Sequence, residues 1–200
     1  FSKNVYKDFI ESLDPMKRHF TAKDIKDFKS YETEIDDQLR EKDISFFNLV
    51  YNRYRERLKD TEEFYEAILE DDFDLNSDET INTNYEELYF VKNTKALKER
   101  WRKQLKFSIL SNYYSALETQ NAQAEQSDTI EVKSSEDLKA EAVEQTKESI
   151  ERYFSNSEDL RREDWFNLYI NTVVSQFDPH TSYLAPRDKD RFDISMSGKL

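Results

Sequence analysis

Asp72, Asp74, Asn76 and Asp78 stand at alternate positions, the spacing of the first four oxygen ligands in an EF-hand calcium loop. Ser77 fills the sixth place, where that loop needs glycine for its turn. Thr83 fills the twelfth, where glutamate supplies two oxygens. With both features missing, the run reads as a solvated acidic loop. The histidines, His19 and His180, lie far apart in a chain without cysteine. A structural zinc site would have to be completed by carboxylates, so each histidine is read as a packing or hydrogen-bonding residue. Serine, aspartate and lysine are plentiful, yet nothing in their spacing positions a nucleophile against a base, so no Ser/Lys or Ser/His/Asp centre is defined. No residue is therefore assigned a catalytic, cofactor-binding or metal-ligating role, and no cofactor is expected.

The scarcity of glycine bears on the same question. The sole glycine of the 200 residues is Gly198. P-loops, dinucleotide fingerprints and nucleophile elbows each need several glycines, because their backbones take up conformations or approach ligands in ways that a Cβ obstructs. Hairpin-rich sheets need them too. Three prolines in the whole chain suit long helices.

Charged residues make up 36% of the chain, equal to the hydrophobic fraction, which alone would suggest disorder. The 14 Phe and 12 Tyr argue otherwise, because each supplies a large apolar area that drives burial. A folded domain with an aromatic interior and a charged exterior results. The net charge of −13 disfavours nucleic acid and anionic membranes as partners. No apolar run reaches the roughly 20 residues of a membrane span, and residues 1–20 carry no signal-peptide core. The native start is expected upstream of Phe1.

The fold class expected is mainly α, a multi-helix domain of amphipathic helices with an extended or β segment at the C-terminal end. Val5, Phe9 and Leu13 share one helical face before Pro15 breaks the pattern. Thr21 to Asp24 resembles a capping box and should open a helix through Ile25 and Phe28 to about Leu39. From Ile44 to Leu69 an aromatic stripe (Phe47, Val50, Tyr51, Tyr54, Leu58, Tyr65) opposes a charged face that includes Arg53, Arg55 and Glu56. Residues 70–94 read as a long loop. A helix follows from Thr94 to about Leu117, with Leu97, Trp101, Leu105, Ile109 and Tyr113 on one side. Residues 118–136 read as a flexible polar insertion. Helical spacing returns from Leu138 to Phe154, breaks at Ser155 to Ser157, and resumes over 158–177 with Trp165, Leu168, Tyr169, Val173 and Phe177 inward. Alternation over Phe192, Ile194 and Met196 suggests a β-strand.

Asp178-Pro179-His180-Thr181-Ser182-Tyr183-Leu184-Ala185-Pro186-Arg187 is the most distinctive stretch. It reads as a helix stop followed by an exit made rigid by proline at both ends, in the manner of a domain junction. Asp178, Pro179, His180, Thr181, Tyr183 and Pro186 are its candidate residues. The expected organisation is a helical N-terminal domain over 1–177, then a linker and the start of another domain over 178–200.

At these residues the chain resembles the tail-specific, or C-terminal processing, proteases of bacterial envelopes. The resemblance is strongest over Glu163 to Leu168, Phe177 to Arg187 and Phe192 to Gly198. It extends to Phe9–Asp14, Phe20–Ile25, Phe46–Leu69 and, loosely, Trp101–Phe107. It implies a non-catalytic N-terminal helical domain that scaffolds a protease core and controls access to it. The parent would be a periplasmic serine endopeptidase with a Ser nucleophile and a Lys base, both beyond Leu200. Its substrates would be proteins with apolar C-terminal tails, captured by a PDZ domain. The partners implied are the chain's own PDZ and protease domains, protein substrates and an adaptor lipoprotein. The location implied is the periplasm or cell envelope of a Gram-negative bacterium. The competing reading is a free-standing acidic helical module for protein–protein interaction, motivated by the charge and the long amphipathic helices.

Overall fold

The computed structural model describes residues 1–70, 73–126 and 132–198. Within them the chain forms eight α-helices: α1 (Ser2–Leu13), α2 (Ala22–Phe28), α3 (Ile35–Glu41), α4 (Ser45–Leu69), α5 (Thr94–Gln126), α6 (Ser135–Asp159), α7 (Arg162–Val174) and α8 (Pro186–Ser197). A 3₁₀ turn, Lys29–Tyr31, follows α2. The fold class is mainly α. The described residues form no β-sheet, only an isolated parallel bridge between Thr21 and Val91.

The chain divides into two compact units. The first comprises residues 1–15, 23–55 and those from 160 onward. Its interior is aromatic. Phe9 of α1, Phe46 and Phe47 of α4 and Tyr169 of α7 are all nearly or fully buried. Phe9 meets Tyr169 edge-on at 5.0 Å, and Phe47 meets Phe166 edge-on at 5.0 Å. Tyr54 and Trp165 form a third such pair at 5.2 Å. Each adds roughly 0.5–1.5 kcal/mol beyond the area it buries. Arg53 differs from the sequence expectation: instead of lying on a solvated face it pairs with Asp24, whose side chain is fully enclosed, and reaches Asp27 at 3.3 Å.

The second unit comprises residues 16–22 and 56–159. Here α5 and α6 pack side by side, with Trp101 stacked on Phe154 and Phe154 stacked on Tyr65 of α4. A smaller core of Phe73, Ile109 and Ala142 lies further along, flanked by Ile68, Leu69, Leu75, Tyr113 and Val143. The segment 16–19 has no regular structure, yet Lys17 and His19 are buried in it. Its carbonyls are taken by side chains of α5. Arg100 donates to Lys17 O at 2.6 Å, Trp101 Nε1 to Arg18 O at 2.6 Å, and Gln104 Nε2 to Met16 O at 3.2 Å. The Arg18 guanidinium lies over the rings of Trp101 and Tyr153.

His19 bridges two helices of this unit. Its Nδ1 lies 2.8 Å from Thr61 Oγ1 and its Nε2 lies 2.6 Å from Tyr153 Oη. Thr61 spends its hydroxyl proton on the carbonyls of Arg57 and Leu58. The network therefore assigns the proton to Nδ1, which donates to Thr61, while Nε2 accepts from Tyr153.

Several boundaries differ from the sequence reading, each for a physical reason. The helix expected from Thr21 to Leu39 is broken after Phe28, and α3 starts afresh. Its Asp36 N–H is capped by the hydroxyl of Ser2 at 3.0 Å, a partner 34 residues away. Helix α5 runs on to Gln126 instead of ending near Leu117; Gln120 then clasps the backbone of Lys133, accepting from its N–H at 2.8 Å and donating to its carbonyl at 3.3 Å. Residues 127–131 of the expected flexible insertion lie outside the described residues. Helix α6 continues through Ser155–Ser157, with the Ser157 hydroxyl turned back onto Tyr153 O at 2.8 Å. Phe177, expected inward, is 77% exposed and lies against Phe1.

The β-strand expected over Phe192–Met196 is not formed: these residues belong to α8. Ala185 is extended and Pro186 takes the first helical position, where its missing N–H costs nothing. Lys189 and Asp193 then pair one turn apart. A lone strand would leave its backbone groups unpaired, whereas a helix satisfies them internally.

Burial, reinforced by the Arg18 charge, holds the His19 imidazole well below its ordinary proton affinity. Above about pH 6.5 the ring is neutral both folded and unfolded, so its contribution is complete. As pH falls further, the unfolded chain takes up a proton that the folded one refuses, and stability is lost. In urea titrations the native chain is expected to lose up to about 2 kcal/mol more between about pH 7 and pH 5 than His19→Gln. Equal losses in both proteins would show that His19 titrates normally.

Candidate functional site

The site singled out by sequence, the exit after α7, is a shaped segment belonging wholly to the first unit. Helix α7 begins at Arg162, with the Asp164 carboxylate accepting from the backbone N–H of Arg161 at 2.9 Å. It ends at Val174, and Ser175 to Phe177 carry the chain through a turn. Asp178 then organises the residues after it. Its carboxylate accepts the His180 N–H at 2.9 Å and the Thr181 hydroxyl at 2.7 Å. Those two bonds, the His180 amide first, draw its pKa below the usual carboxylate value. Pro179 sits inside this turn with its φ fixed by the ring.

Beyond the turn the chain runs back beside α7. Asn171 holds it there, accepting from the Tyr183 N–H at 2.8 Å and donating to the Tyr183 carbonyl at 3.3 Å. The side-chain amide thus answers both backbone groups of one residue, as a neighbouring strand would. Arg187, one residue inside α8, reaches Asp164 at 3.4 Å. Gln176 donates to Asp8 of α1 at 2.7 Å.

The structure thus brings Asp178, His180 and Thr181 into one turn, sets Tyr183 against Asn171, and places Pro186 at the head of α8. Sequence reasoning missed Asn171, Gln176 and Asp164. Asn171 carried a weak signal, since asparagine inside a helix competes for backbone groups and often has another task.

The other candidates resolve differently. His19 is part of the buried network already described, and His180 is exposed. Asp72 of the EF-hand-like run lies outside the described residues. Asp74 accepts from the Asn76 N–H at 2.9 Å in a local turn. Among the described residues, no cluster of three or more His, Cys, Asp or Glu is arranged to hold a metal ion. The Ser77 hydroxyl meets the Lys106 amine, a pairing that could suggest a nucleophile and base. Glu79, however, lies 2.8 Å from the same amine and is also bound by Arg102, and these two cations, Arg102 first, lower its pKa to about 2. The group works as an ion-paired fastening of the loop onto α5. No helix among the described residues is long and apolar enough to cross a membrane.

These features define an all-helical domain whose seventh helix is tied to a structured exit. The sequence profile of the tail specific protease N-terminal domain matches residues 1–187, and the chain belongs to that family. It is similar to the tail-specific protease of Haemophilus influenzae, with 23% identity over 201 residues covering the whole of this chain and 26% of that protein. The chain thus spans about a quarter of the length of that relative.

Asn171→Ala should free Tyr183 while leaving α7 folded. Amide exchange of residues 181–185 is expected to quicken by about tenfold, the equivalent of about 1.4 kcal/mol. Exchange unchanged there would mean that the turn at Asp178 alone fixes the path.

Proposed function

We propose that this chain is the non-catalytic helical domain of a periplasmic serine endopeptidase that degrades or processes proteins from apolar C-terminal tails. The observation carrying this reading is the family match over residues 1–187. In it, residues 178–200 form the junction to a PDZ and protease core, and the Ser nucleophile and Lys base lie in that core. A lysine serves as base near neutral pH only where burial lowers its proton affinity, which an enclosed core supplies and a solvated helical surface does not. The helical domain scaffolds the core and limits which chains reach it. An adaptor lipoprotein is a candidate partner of its surface, and the location is the periplasm or envelope of a Gram-negative bacterium.

The exit geometry supports the scaffolding role. A junction meant only as a tether gains nothing from Asp178 capping its own turn or from Asn171 fixing Tyr183. Both devices reduce the number of directions in which the chain can leave.

The division of labour has a direct check. The 200-residue chain should cleave no protein, while the longer gene product should degrade a reporter ending in an apolar tail and spare the same reporter with a charged tail. Turnover by the 200-residue chain, abolished by a serine-directed reagent, would place the chemistry in the helices and overturn the reading.

A further inference from the structure

In its C-terminal half α5 carries Asn112, Ser115, Thr119, Gln120 and Gln123 at three- and four-residue spacing, which sets them along one side of the helix. Glu141 and Gln145, one turn apart on α6, join them in lining a cleft of about 370 Å³, within the range of small-ligand sites. The cleft lies wholly within the second unit and shares no residue with the exit segment. We infer that it holds an extended, uncharged stretch of a second polypeptide by its backbone.

The cleft already grips one residue in this manner. Gln120, only 8% exposed, accepts from the Lys133 N–H at 2.8 Å and donates to the Lys133 carbonyl at 3.3 Å. Lys133 lies outside any helix, so its backbone groups depend on such a partner. The same wall holds three more side-chain amides. Asn112 donates to Thr146 Oγ1 at 3.0 Å, which fixes its orientation. The amides of Gln123 and Gln145, and the Ser115 hydroxyl, make no hydrogen bond among the described residues. A carboxamide both donates and accepts, so each can answer the N–H and C=O of one residue, as Gln120 does.

The rest of the lining narrows the ligand further. Its two charged residues, Lys133 and Glu141, pair with each other, so the wall is neutral in a chain of net charge −13 and favours neither an anion nor a cation. Ala116 and Leu138 are its apolar members, and it has no aromatic face on which a ring could stack. A hydrophobic ligand would find little area to bury. An extended chain with small uncharged side chains suits it, because the polar groups it must strip of water are then answered in kind.

Calorimetric titration of the 200-residue chain with an octapeptide of serine, threonine, alanine and asparagine, acetylated and amidated at its ends, tests this. A scrambled order of the same residues should bind within about twofold, since the backbone carries the recognition. N-methylation of alternate residues, which removes donors, should weaken binding at least about tenfold. Gln123→Leu combined with Gln145→Leu should also lose about tenfold, with the Lys133 amide still protected from exchange as the sign that the Gln120 clasp is intact. No binding of the parent peptide, its loss on scrambling, equal binding of the N-methylated form, or full affinity in the double variant with Lys133 protected would overturn the proposal. So would displacement of the peptide by a neutral disaccharide at equal concentration, which would mark a site for small polar solutes. The N-methyl comparison requires no variant, so it decides the matter should the double variant fail to fold.

Discussion

Backbone that leaves helical geometry must still find partners for its N–H and C=O groups once it is enclosed, and in this chain helix side chains supply them. A buried group left unanswered costs about 1–3 kcal/mol, a large share of a domain's net stability. The irregular segment 16–19 meets this constraint through Arg100, Trp101 and Gln104, which take its carbonyls in turn. Nearer the surface, at residues that stay exposed, a similar device recurs where Gln120 clasps Lys133 and where Asn171 clasps Tyr183. Each clasp is an amide side chain imitating a strand neighbour, in a fold whose described residues contain no sheet.

That device links the interior to the exit. Helix α7 is seated in its unit by Trp165, Tyr169 and Val173, all buried, and Asn171 lies on the same helix. Whatever direction the aromatic core gives to α7 is passed through one amide to the exit segment. The proposed scaffolding role needs such a rigid coupling. A glycine-rich connection would lose the direction within a few residues, because each glycine admits many backbone conformations.

Helix α4 shows what was legible in the sequence. Its stripe of Phe47, Val50, Tyr54, Leu58 and Tyr65 is buried as the three-four spacing demands, and its bounds agree with the periodicity to within a residue. Helices α1, α5 and α6 followed from the same pattern, and the stretch 178–187 stood out through its two prolines. What could not be read were the long-range substitutes for local signals. The cap that starts α3 comes from Ser2, the charge on Arg53 is answered by Asp24 from another helix, and the exit is held by Asn171. The first two leave no mark in the nearby sequence, and Asn171 leaves only a weak one. The alternation of Phe192, Ile194 and Met196 misled for a related reason: a period of two indicates a strand only where a second strand is at hand, and among the described residues none is.

The indole proton of Trp101 reports on the central constraint directly, because it is buried and bound to the carbonyl of Arg18 at 2.6 Å. Followed by NMR in deuterated buffer, it should exchange no faster than the most protected amides of α5, since only unfolding of the unit releases that carbonyl. Exchange at the rate of an exposed indole would show that segment 16–19 opens independently of the helices, contradicting the claim that their side chains hold it in place.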